Sequence, residues 1–242
     1  MIKSVWGRCL ICHWLVSGAF LALWPSAVKA QAQAEVNHRI DLVLEKKEGT
    51  SVRTVEPNYV FSTGDKVRFR LKSAVNGYLY VMNRGSSGTW QQLFPRDGLT
   101  QSRTVASGRQ YLVPASGTGW FQVTGPPGYD NVYFLISPVD LGKSPQGSNP
   151  QQASSSEADA AAFATATPRC DDELFRARGE CLDTHAGLKP LGKGESLPGQ
   201  FSQFPVMTSR DLIVVDNTSD TSVSSTEPFQ GPSVYRFRIA HK

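Results

Sequence analysis

Lys66-Val67-Arg68-Phe69-Arg70-Leu71-Lys72 alternates a cation with an apolar side chain at every position. A β-strand points successive side chains to opposite faces, so this register buries Val67, Phe69 and Leu71 and leaves four cations facing water. Upstream, Ile40, Leu42 and Leu44 alternate with Asp41, Val43 and Glu45 in a second half-buried strand. Val52, Thr54 and the Tyr59-Val60-Phe61 run form further short strands, and Gly64-Asp65 turns the chain into the cationic one. Downstream, Asn76-Gly77 is a tight-turn signal leading into residues 78–83. Residues 84–88 read as a small flexible loop, and residues 89–94 return as a hairpin arm until Pro95. Residues 109–113 are closed by Pro114, and residues 119–124 and 131–137 flank the turn Gly125-Pro126-Pro127-Gly128. Short strands with Gly, Pro and Asn punctuation and no intervening amphipathic helix predict an all-β, antiparallel, immunoglobulin-like sandwich.

Composition shifts after Leu141. Residues 142–168 are mostly Gly, Ser, Gln, Pro, Ala and Thr, too poor in large apolar groups to offset ordering entropy, and residues 183–209 are again rich in Gly and Pro. Apolar runs resume at Asp211-Leu212-Ile213-Val214-Val215-Asp216 and close with Ser233-Val234-Tyr235-Arg236-Phe237-Arg238-Ile239-Ala240-His241. In this last strand Tyr235, Phe237 and Ile239 bury one face, while Arg236 and Arg238 lie on the other. Two strands alone hardly make a stable unit, so they are expected to return to the first sheet. The expected organisation is a main part over 31–141, a flexible insertion over 142–209, and completing strands over 210–242.

The first thirty residues read as a processing segment. Lys3 and Arg8 precede an apolar run from Cys9 to Trp24, shorter than a membrane-spanning helix needs, and Val28 and Ala30 supply the small residues of a cleavage site. Cleavage is expected after Ala30, with Ala32 and Ala34 as near alternatives, and no transmembrane segment would remain. The absence of an Arg-Arg pair favours the general secretory route, and the residues before Cys9 and Cys12 lack a lipid-anchor pattern. Cys9-Leu10-Ile11-Cys12-His13 spells the C-x-x-C-H of haem attachment but would leave with this segment, so no haem or other cofactor is expected. Removing Lys3, Arg8 and Lys29 from the 25 cations leaves 22 against 21 acids, so a net charge of +4 falls to +1. The basic balance therefore implies no nucleic-acid partner, and the expected location is periplasmic or extracellular. With 40% hydrophobic and 19% charged residues, the composition is that of a soluble globular protein rather than a fibrous or wholly disordered one.

Cys170 and Cys181 are then the remaining thiols, and an exported chain favours their pairing as a structural disulfide. The enclosed Asp171-Asp172-Glu173-Leu174-Phe175-Arg176-Ala177-Arg178 suits one or two helical turns, with acids early and arginines late. Its acids lack the alternating ligand pattern and central Gly of a calcium loop, so no metal site is expected. Of the remaining histidines, His38, His185 and His241, none sits in H-E-x-x-H, and no G-x-S-x-G, P-loop or dinucleotide fingerprint is present. The sequence therefore names no catalytic residue and favours a non-enzyme; the alternative is an exported hydrolase using His185 with acids of the Cys170–Cys181 loop. A third reading gives the cations a role: should the strands of Lys66, Arg68, Arg70 and Lys72 and of Arg236 and Arg238 share one sheet, six cations would meet an anionic surface polymer. The bland counterpart is a solvated cationic face, with neighbouring acids cancelling the field. Tyr78, Tyr80, Trp90, Trp120 and Tyr133 read mostly as core, and the Asn217-Thr218-Ser219 sequon matters only in a glycosylating host.

The run F-x-x-G-D-x-V-x-F (Phe61, Gly64, Asp65, Val67, Phe69), then Gly77-Tyr78-Leu79-Tyr80-Val81, Leu93-Phe94-Pro95, Gly108, Pro114 and the glycine turn before residues 132–137, resembles domain of unknown function 4384. The resemblance covers about residues 55–138 and does not reach the cysteine segment or the final strands. It implies a small β-sandwich of exported bacterial proteins, sometimes appended to caspase-like peptidases or serine/threonine kinases, with no catalytic residue to carry over. Gly64, Asp65, Gly77, Tyr78, Leu93, Phe94, Pro95, Gly108 and Pro114 are then turn and core positions. The expected role is an interaction or envelope-associated module whose partner is another envelope or secreted protein.

Overall fold

In the computed structural model, which describes residues 37–95, 102–115, 119–142, 166–189, 191, 212–216, 220–228 and 231–242, the cationic strand takes the register its alternation demands. Phe69 is fully buried, its ring 4.9 Å from that of Phe134 and 5.4 Å from that of Phe237, both edge-on. Edge-to-face contact sets the positive rim of one ring against the negative face of the next, which adds to the area each buries.

The elements in chain order are β1 (Asn37–Glu48), β2 (Ser51–Val55), β3 (Val60–Phe61), β4 (Lys66–Ser73), β5 (Gly77–Arg84), β6 (Trp90–Phe94), β7 (Thr104–Val105), β8 (Gln110–Val113), β9 (Phe121–Gln122), β10 (Gly128–Ser137), α1 (Asp172–Arg178), β11 (Gly187–Lys189), β12 (Leu212–Asp216), β13 (Thr221–Pro228) and β14 (Ser233–His241). One sheet runs β12-β13-β1-β4-β8, with β2 added to β1 and β9 to β4. The other runs β11-β14-β10-β5-β6, with β3 on β14 and β7 on β5. Every pairing is antiparallel except that of β3 with β14, which is parallel. The fold is therefore an all-β arrangement of two sheets, not a barrel, and the C-terminal strand lies inside the second sheet between β10 and β11.

The two inner faces share one core. Ile40, Leu42 and Leu44 of β1 and Val67, Phe69 and Leu71 of β4 meet Leu79 and Val81 of β5, Phe134 and Ile136 of β10, and Phe237 of β14. At about 1.5–3 kcal/mol for each large apolar side chain removed from water, this layer supplies the main driving force for folding. His38 is also buried, with Nδ1 3.1 Å from the Tyr235 hydroxyl and 3.2 Å from Ser233 Oγ.

Several motif positions acquire a physical reason. Gly64 turns with φ +94°, and Asp65 accepts the Ser62 N–H at 2.9 Å and the Lys46 ammonium at 2.9 Å, closing that turn onto β1. Gly77 is not a positive-φ turn residue; it opens β5, and a Cβ there would lie 2.7 Å from the Ser137 carbonyl oxygen on β10. Close backbone approach, not turn geometry, requires glycine at this position. Leu93 and Phe94 are buried, Pro95 and Pro114 follow cis peptide bonds, and Gly108 has φ +76°.

The second sheet differs from the one-sided reading of the last strand. Besides Tyr235 and Phe237 on its inner face, β14 buries Val234, Arg236 and Ala240 on its outer face. Val234 packs in a second apolar cluster with Tyr80, Tyr133, Leu135 and Leu191, and Ala240 in a third with Val60, Tyr129 and Ala186. Part of this cover comes from the segment read as Gly- and Pro-rich: β11 pairs with β14, Ala186 and Leu191 join these outer clusters, and Leu188 enters the main core beside Phe237. The N-terminal segment read as a processing signal, the sequon, and residues 143–165 and 192–211 of the insertion and its flank lie outside the described residues. Among the described residues, no helix is long and apolar enough to cross a membrane.

Candidate functional site

Three places among the described residues are candidates for a site: the outer face of β4, the turn that follows the cysteine loop, and a cleft between β6 and β9.

On β4 the cations are met by acids of the neighbouring strand. In the β1–β4 register Glu45 stands opposite Arg68, Asp41 opposite Lys72, and Lys47 opposite Lys66. Glu45 is buried, and its two oxygens divide between Arg68 Nε at 2.6 Å and Arg70 at 3.0 Å. The Arg68 guanidinium also lies 4.4 Å from the centre of the Trp120 ring, a cation–π geometry. Asp41 accepts from Arg39 at 2.6 Å and from Ser222 Oγ at 2.7 Å. Lys66 and Lys72 are exposed, whereas Arg68 and Arg70 are tied down. The six-cation surface does not assemble, because β4 belongs to the first sheet and β14 to the second. Arg236 is buried, and Arg238 Nε lies 3.3 Å from Asn131 Oδ1. A sequence read strand by strand cannot assign strands to sheets, since β4 and β14 share the same alternating pattern.

The cysteine segment closes as expected: Cys170 and Cys181 form a disulfide. Inside it, Asp171 caps α1 by accepting the N–H groups of Glu173 and Leu174, and Gly179 ends the helix with φ +71°. The loop is tied to the sandwich by a β-bridge between Leu182 and Tyr59 and by the Val60 N–H donating to the Cys181 carbonyl at 2.9 Å. Next to it, Asp183 is buried and accepts from the Tyr129 hydroxyl at 2.5 Å, from the Arg169 N–H at 2.9 Å and from the His185 N–H at 2.8 Å. Burial works against its charge, but these donors prevail and hold the carboxyl below the usual carboxylate range. Burial, then the Asp183 carboxylate, pushes the Tyr129 phenol up, so it stays a donor at neutral pH. His185 Nδ1 is 3.0 Å from Asp183 Oδ1, so the carboxylate beside His185 is Asp183 rather than an acid of the enclosed loop. His241, fully buried, has Nε2 3.5 Å from Asp130. His38, His185 and His241 thus have different surroundings, at Tyr235, Asp183 and Asp130 respectively.

The third place has no sequence signature. The β5–β6 connection, read as flexible, is anchored: the Ser86 N–H donates to Asp130 Oδ1 at 2.6 Å and its hydroxyl to the Pro126 carbonyl at 2.9 Å. Between this connection with β6 on one side, and β9 with the chain to Gly125 on the other, lies a cleft of about 360 Å³. Its floor is the end of the core, at Val67, Phe69, Leu93 and Val132. Asn83, Thr89 and Gln91 line it on the β6 side and residues 120–124 on the β9 side, where the register turns Phe121 inward with Val67 and Gln122 outward with Lys66. Asn83 Oδ1 is buried without a hydrogen-bond partner, the kind of deficit that costs about 1–3 kcal/mol. Asp130 is the lining carboxylate, and among the described residues the lining includes no lysine or arginine. No group of three or more His, Cys, Asp or Glu side chains able to hold a metal ion occurs among the described residues.

No curated protein and no solved structure matches this chain. One family model does. Residues 60–140 of the 242, the stretch from β3 to just beyond β10 that carries every motif position from Gly64 to Pro114, match the family described as domain of unknown function (DUF4384).

Proposed function

We propose that this protein is an exported, non-catalytic interaction module of the bacterial envelope or secreted space, delivered by the general secretory route and acting on another envelope or secreted protein. The observation that carries the compartment is the disulfide between Cys170 and Cys181, because such bonds persist in oxidising compartments and are rare in a reducing cytosol. The polar groups beside it support a binding rather than a chemical role. Asp183 spends its lone pairs holding Tyr129, Arg169 and His185 in place, and Glu45 spends both oxygens on Arg68 and Arg70. The test is to express the full chain in a bacterium with an oxidising periplasm and to fractionate the cells. Recovery outside the cytoplasm, shortened at the N-terminus by the mass of about thirty residues and without free thiols, supports the reading. An intact, reduced cytoplasmic protein overturns it.

A hydrolase remains the second reading, favoured by the contact of His185 Nδ1 with Asp183 Oδ1, since a carboxylate orienting an imidazole is half of a nucleophile-activating arrangement. Screening the purified protein against ester and peptide substrates decides it: activity lost in His185→Ala but kept in Lys189→Ala would establish the enzyme.

A further inference from the structure

We infer that the outer face of the first sheet is a docking surface for an anionic lipid bilayer, engaged through Lys47, Lys66 and the cations beside them. Because Ile40, Leu42 and Leu44 of β1 and Val67, Phe69 and Leu71 of β4 point into the core, the alternate residues of both strands face outward. On these two strands that face carries Arg39, Lys47, Lys66, Arg68, Arg70 and Lys72 against two acids, Asp41 and Glu45. Both acids are engaged by arginines, Asp41 by Arg39, and Glu45 by Arg68 and Arg70. Lys47, Lys66 and Lys72 are exposed and, among the described residues, form no ion pair.

The register adds a cost that an anion relieves. Lys47 stands directly opposite Lys66, and like charges so placed destabilise a sheet. The same row continues with Val52 of β2 opposite Lys47 and Gln122 of β9 opposite Lys66, so no acid of a neighbouring strand is set against the pair. Two features select a bilayer as the source of the negative charge. The strands of a sheet stand about 4.7–4.9 Å apart with no wall between rows, so a layer of headgroups meets β1 and β4 together, whereas a single polyanion chain would lie along one row. Apolar groups also sit among the cations: Val52 is 45% exposed, Val43 and Leu112, both opposite Arg70, are partly exposed, and so is the Trp120 ring beside Arg68. Indole and aliphatic side chains next to lysines suit the boundary between headgroups and acyl chains, which a soluble anion does not offer.

The experiment sediments the natively purified full chain with vesicles of phosphatidylcholine containing about one third phosphatidylglycerol, and with vesicles of phosphatidylcholine alone. Binding to the anionic vesicles at low salt, lost as salt rises to about 0.5 M and absent on phosphatidylcholine, is expected. Lys47→Gln with Lys66→Gln should weaken it about tenfold or more. Arg169→Gln with Arg176→Gln, which removes the same charge from the exposed cysteine segment, should leave it nearly unchanged. The lysine variant relieves the cross-strand repulsion, so its urea midpoint should equal or exceed that of wild type, which separates lost binding from lost folding. No salt-sensitive binding to the anionic vesicles, equal loss in both paired variants, or binding to soluble alginate in place of vesicles would each overturn the assignment.

Discussion

Glu45 on β1 holds two arginines of the next strand at once, Arg68 through Oε2 at 2.6 Å and Arg70 through Oε1 at 3.0 Å. The carboxylate is 8% exposed, against 14% for the Arg68 side chain and 33% for that of Arg70. Such a carboxylate is worth more than a fully solvated ion pair, because removing it leaves two cations half out of water. Glu45→Gln should lower stability by about 1–3 kcal/mol and increase salt-dependent retention on an anionic matrix such as heparin. The first is read from the urea midpoint at unchanged slope. An unchanged midpoint together with unchanged retention would show that Arg68 and Arg70 do not depend on Glu45.

Phe69 joins the two sheets through its edge-on contacts with Phe134 and Phe237. Phe69→Ala removes a fully buried ring and leaves a cavity between sheets that the paired backbones hold apart, so a loss of about 3–5 kcal/mol is expected from equilibrium denaturation. Phe69→Leu should recover much of it.

Gly77→Ala forces a Cβ to within 2.7 Å of the Ser137 carbonyl oxygen, a contact that moves backbone rather than a flexible side chain. A destabilisation of about 1–3 kcal/mol follows from overpacking of this kind. Gly49→Ala provides the contrast: its Cβ meets nothing within 4 Å, and the penalty arises from the positive φ of 60° alone. Thermal denaturation that left Gly77→Ala at the wild-type midpoint would sink the close-approach explanation.

Asp183 supplies a pH dependence with a definite sign. Its carboxyl is held below the ordinary value, chiefly against the opposing effect of burial, by hydrogen bonds from Tyr129, the His185 and Arg169 N–H groups and the His185 ring. A group depressed in the folded state contributes stability fully above its unfolded value, about 3.9, and loses it as pH falls through the lower folded value. Asp183→Asn should therefore cost stability at pH 7 and flatten the decline on the acid side, so that wild type and variant converge in strong acid. Parallel urea midpoints across the whole range would contradict this.

Breaking the disulfide by Cys170→Ser with Cys181→Ser should lower stability by about 3 kcal/mol, the loop-closure entropy of a ring of this length. The loss should appear first around α1 and the Leu182–Tyr59 bridge, as faster amide exchange there than in β10 or β14. Uniform acceleration across the sandwich would instead place the loop within the global folding unit.

The elements of this fold were legible wherever side chains alternate, because period two identifies a strand without reference to any neighbour. The core positions of β1 and β4 and the inner face of β14 follow from that rule, while the early acids and late arginines mark the helix between the cysteines. Less legible was β11, which sits in a Gly-rich run: Gly187 has φ +83° and packs against Pro57, a requirement that looks in sequence like loop composition. The flexible reading of residues 84–88 failed for a related reason, since the partners that anchor Ser86 lie on Asp130 and Pro126, remote in the chain.

The sequence by itself determined an all-β chain with a cystine-closed loop and a cationic strand, because local alternation, turn residues and thiol count depend on neighbours along the chain. Tertiary structure alone decided that β4 and β14 lie in different sheets, that Glu45 pairs with two of the four cations the alternation displays, and that residues of β5, β6, β9 and β10 line one cleft. Strand pairing and sheet-edge geometry are long-range choices, set by which faces pack together, and no local period encodes them.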